Sequence, residues 1–171
     1  MVHYKLIASP TLITKMADLL IAEISKPEVP PLLALAIVYE IGQGDPAIYL
    51  ATETAFHFST LVTAEAPPGE IRFGPLFNSG EWMNPARSIF LDVDPEIDAW
   101  AKLVFDQAVD AARNDRDYDL TEQEILSTLW AVIDAARQKF DYFWPPISFV
   151  QSVDTGLDEM PTRIATRSVV T

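Results

Sequence analysis

Residues 32–39 read LLALAIVY, an apolar run closed in front by Pro30-Pro31 and behind by Glu40. The run is too short for a membrane span, which needs roughly 18 apolar residues, and too short for most core helices. It is apolar at every position rather than every second one, so both of its faces must be covered. That places it as a central strand of a sheet. Gly42-Gln43-Gly44-Asp45-Pro46 is dense in turn residues. Residues 47–54 then alternate, with Ile48, Leu50 and Thr52 on one side and Ala47, Tyr49, Ala51 and Glu53 on the other. Two strands about a Gly-rich turn read as a hairpin.

Ahead of the hairpin, Ser9-Pro10 has the form of a helix N-cap followed by proline at the first helical position. Leu12, Ile13, Met16, Leu19, Leu20 and Ile24 follow at helical spacing, and Lys26-Pro27 ends the segment. Residues 56–87 are irregular, rich in Pro, Gly and Asn, with a short strand expected at 70–73. A strand is expected at 88–93, where Ile89, Leu91 and Val93 alternate with Ser88, Phe90 and Asp92. Asp94-Pro95 starts a second helix with Ile97, Trp100, Ala101, Val104, Ala108 and Ala111 on one face. Asp98, Lys102, Asp106 and Asp110 lie on the opposite face. Thr121 with Glu124 forms a capping box for a third helix, whose buried stripe is Ile125, Leu129, Val132, Ala136 and Phe140. Trp144-Pro145-Pro146 stops it, residues 147–153 form a strand, and 156–171 form a tail or edge strand. Helices grouped between strands define an α+β class, a single domain over 1–171 with a mainly antiparallel sheet of about four to six strands on about three helices.

The chain has 171 residues, 49% of them hydrophobic, which suffices for a core without staples. Its 25 acids against 12 bases give a net charge of −13, the wrong sign for a binder of nucleic-acid backbone. With no Cys, disulfides, thiolate metal sites and cysteine nucleophiles are excluded. The six glycines form neither a Walker loop nor a dinucleotide fingerprint. His3 and His57 lie far apart and neither adjoins a nucleophile elbow, so a His-based metal site or triad has no support. No cofactor is therefore expected, and the lean is away from an enzyme. No apolar run suggests a membrane span or a signal peptide, so the chain reads as soluble and cytoplasmic.

Two patterns approach known chemistry. Asp115, Asp117 and Asp119 match the first ligand positions of an EF-hand loop. Leu120 stands where a glycine is needed, and Leu126 where a bidentate glutamate is needed, so the calcium loop fails. Glu40, Glu53, Asp92 and Asp154 fall near strand ends and are candidates for a carboxylate pair, which requires two acids about 5–10 Å apart.

The candidate partner surface is acidic. Asp106, Asp110, Asp115, Asp117, Asp119, Glu122 and Glu124 fall within one stretch diluted only by Arg113 and Arg116. Two readings are open: a wet face that keeps the chain soluble, or a negative field that steers a basic protein partner. Trp82, in Glu81-Trp82-Met83-Asn84-Pro85, either pins its loop to the domain or anchors a partner pocket. From the 32–54 hairpin through the Trp82 loop to the 147–153 strand, the order of elements resembles uncharacterised bacterial α+β families of the toxin-immunity type. The resemblance is one of layout and assigns no role to any residue. It implies a non-enzymatic inhibitor of a basic, nuclease-like protein. The alternatives are a carboxylate- or metal-dependent enzyme and a structural or regulatory homo-oligomeric subunit.

Overall fold

The computed structural model describes residues 7–40, 47–54, 84–114, 118–140, 144–152 and 164–166. The Gly42–Pro46 turn, the 70–73 strand, the histidines, Trp82, Asp115, Asp117 and Asp154 lie outside the described residues.

Helix α1 spans Pro10–Ile24. Its start follows from the Ser9-Pro10 pair: the Ser9 hydroxyl accepts the Leu12 N–H at 3.2 Å, satisfying a donor that has no partner within the helix. At the other end the Ser25 backbone N–H and hydroxyl both donate to the Ile21 carbonyl. The chain then turns over Pro27, with Val29 N–H donating to Lys26 O. Leu12, Met16, Ala17 and Leu20 form the buried face.

Strands β1 (Leu32–Glu40) and β2 (Ala47–Thr54) pair antiparallel. The sheet also contains β3 (Asn84–Ser88), β4 (Ile147–Ser152) and β5 (Ile164–Thr166), in the order β3-β2-β1-β4-β5. Three of its pairings are antiparallel, and β1 with β4 is parallel. The apolar run is therefore the central strand, and it is buried from Ala34 to Tyr39. Between β3 and β4 lie helices α2 (Pro95–Asn114) and α3 (Tyr118–Lys139). The architecture is α+β.

Register partners share a face. Leu35, Ile37 and Tyr39 therefore stand beside Thr52, Leu50 and Ile48 of β2 and beside Ser148, Val150 and Ser152 of β4. The three helices pack on one another over this face. Tyr39 reaches α3, and Arg87, the register partner of Leu50, reaches Glu23 of α1. The other face carries Ala34, Ala36, Val38, Ala51, Glu53, Phe149 and Gln151, and it is buried as well. Burial on both faces explains why β2, which alternates in sequence, keeps even Glu53 from solvent.

Two expectations are corrected. The strand expected at 88–93 lies earlier, at Asn84–Ser88, and residues 89–93 form a bend and turn. Ile89 and Phe90 are apolar because they enter the core on consecutive positions. Asp92 then breaks the extended path with φ 63°, a conformation aspartate tolerates better than most residues. Its N–H donates to the Asp98 carboxylate at 2.9 Å. Pro85 fits β3 because β3 closes the order of the sheet, where a missing donor is tolerated. The second correction concerns Thr121, which is buried inside α3 rather than capping it. The helix begins instead at Tyr118, three residues ahead of Thr121. The Asp94 cap holds: its carboxylate accepts the Glu96 N–H at 2.8 Å. The expected edge strand in the tail is β5, a three-residue element.

Ion pairs join α1 to the other elements. Lys15 meets Asp94 at 3.1 Å and Glu96 at 3.0 Å, Lys139 meets Asp18 at 2.7 Å, and Glu23 meets both Arg87 and Lys26. Hydrogen bonds to Glu96 and then to Asp94 raise the Lys15 pKa. The Lys15 ammonium, followed by the Glu96 N–H, lowers that of Asp94.

Two predictions follow from this packing. Ile37→Ala, at a fully buried central position, should cost about 2–5 kcal/mol in urea unfolding, whereas Leu103→Ala on the surface of α2 should stay within about 0.5 kcal/mol. Asp94→Asn keeps a capping oxygen and removes the charge. A depressed native pKa contributes stability above the unfolded value and loses it as pH falls through the folded one. The gap between wild type and Asp94→Asn should therefore close in acid, below the ordinary aspartate range, and shrink with added salt. Unfolding curves at several pH values measure it.

Candidate functional site

Helical phase decides which acids of the 106–124 stretch share a surface. On α2, Ile97, Trp100, Ala101, Val104, Phe105 and Ala108 are buried, fixing the inward face. Asp106 and Asp110, four residues apart, therefore lie on the outward face, and both are exposed. Lys102 is exposed one turn before Asp106. Leu103 is also outside, 46% exposed, at three residues from Asp106 and seven from Asp110.

The α3 acids are placed differently. Glu122 is half-buried, and its Oε1 accepts the Tyr39 hydroxyl at 3.1 Å, so this carboxylate ties α3 to the central strand. Glu124 is half-buried two residues later. Asp119 lies in the first turn of α3. Of the seven acids, the structure thus places Asp106 and Asp110 together on an outer surface and turns Glu122 toward the core. Asp115, Asp117 and Trp82 lie outside the described residues.

Two leucines, Leu103 and Leu120, are exposed. Leu103 was legible: a helix whose inward face runs through Trp100, Ala101, Val104 and Phe105 has position 103 on its outside. Leu120 is 47% exposed near the start of α3, and its exposure followed only from the helix beginning earlier than the capping box indicated.

The candidate carboxylate pair does not assemble among the described residues. Glu40 is paired with Ala47 and Glu53 with Ala34, at opposite ends of the β1–β2 ladder. Six residues of strand separate those ends, about 20 Å at a rise of about 3.3 Å per residue, well beyond the reach of one reacting bond. Asp92 is exposed on the turn before α2. Glu53 is fully buried and accepts its neighbour's backbone N–H, from Thr54, at 2.7 Å. Among the described residues no group of three or more His, Asp or Glu is placed to hold a metal ion. None of the described helices is long and apolar enough to cross a membrane.

No protein-family model matches this chain, and no curated protein and no solved structure matches it.

The Tyr39–Glu122 bond has a measurable worth. Tyr39→Phe removes one donor from a part-buried pair and should lower stability by about 1 kcal/mol, read as a lower urea midpoint with an unchanged slope. Glu122→Gln keeps an acceptor for the tyrosine and should cost less.

Proposed function

We propose that this chain is a non-enzymatic acidic binding module of the immunity type, docking onto and neutralising a basic, nuclease-like protein in the bacterial cytoplasm. The observation that carries the reading is the outward face of α2, where Asp106 and Asp110 stand exposed beside an exposed Leu103. A net charge of −13 supplies a long-range field of the matching sign. Leucine at one end of this stripe offers an apolar contact, while the carboxylates three and seven residues further along the helix align a basic surface and speed its approach. This division of labour requires no cofactor and no nucleic acid. Glu122 serves the fold, and the docking role falls on α2. Trp82, Asp115 and Asp117 extend the same proposal in sequence.

The test begins with retention of proteins from the source cell on the immobilised chain at low and high salt. A single basic protein is expected, held less tightly as salt rises. Its association rate is then measured against wild type and against Asp106→Lys with Asp110→Lys. The double reversal should slow association roughly tenfold or more at low salt, with the two curves converging at high salt. An unchanged association rate would remove α2 from the interface. A retained partner that is acidic, or held independently of salt, would overturn the reading as a whole.

A further inference from the structure

We draw no further inference here: the strongest candidate, the small-residue face of the sheet formed by Ala34, Ala36 and Ala51 around the buried carboxylate of Glu53, carries nothing because nothing among the described residues shows what covers it.

Discussion

Ala34 of β1 lies in parallel register with Ile147 of β4, 113 positions further along the chain, and the rest of the fold is arranged to permit that pairing. An antiparallel neighbour can follow through a tight turn, but a parallel one requires the chain to return to the same end of the sheet. Here the return contains β2 and β3 as well as α2 and α3. The two helices lie within that return, and α3 packs against β4. Helix α1 completes the layer by packing against α3, and the Ala8 N–H donates to the buried Thr128 hydroxyl at 3.2 Å where the two meet. The apolar character of β1 follows from this position. A strand with a partner on each edge and both faces buried has no side left for water, and residues 34–39 have none.

Charge plays two different parts in this molecule. Around α1 it marks seams: Lys15 meets the start of α2, Asp18 the end of α3, and Glu23 the edge strand β3. The pairs of Lys15 and Lys139 are substantially exposed and contribute little to stability individually, whereas the Glu23 carboxylate is buried; the packed apolar interior does most of the holding. Their value lies in orientation, since each connects α1 to a different element. They also use four of the twelve bases, Lys15, Lys26, Arg87 and Lys139, on one side of the architecture. Four acids, Asp18, Glu23, Asp94 and Glu96, are matched there by the four bases, so the whole net charge of −13 falls on the rest of the chain.

Local signals made much of this fold readable. Ser9-Pro10 and Asp94-Pro95 begin helices because a short polar side chain and a fixed proline φ do the same thing in almost any surroundings. The LLALAIVY run is central because burial on both faces leaves no polar position. The failures came where tertiary contacts outweighed local pattern. Ile89 and Phe90 look like part of an alternating strand, yet both enter the core as the chain bends toward Asp92. Asn84-Pro85 looks like a loop, yet it lies in a strand at the end of the sheet, where proline's missing donor does no harm. Thr121 is suited to cap a helix, but it is buried inside one that already begins at Tyr118. The candidate site was legible to the same degree. Sequence marked the acidic stretch, while only the structure separated its outward members from Glu122.

That separation is the consequence of placing one continuous run of acids across two helices that pack against each other. On α2 a spacing of four keeps Asp106 and Asp110 in line, opposite a face filled by Trp100, Val104 and Phe105. On α3 the register is set by Ile125, Leu129 and Val132, and it brings Glu122 within reach of the tyrosine that ends the apolar run of β1. A carboxylate at such a boundary gains more from a hydroxyl donor than from solvent on one side alone, because an unsatisfied tyrosine there would be costly. The same residue type thus ties α3 to the central strand through Glu122 and stands exposed to solvent on α2, with helical phase as the deciding variable. Among the described residues of the stretch, the exposed acids are therefore Asp106 and Asp110 on the outward face of α2, with Leu103 one turn before them.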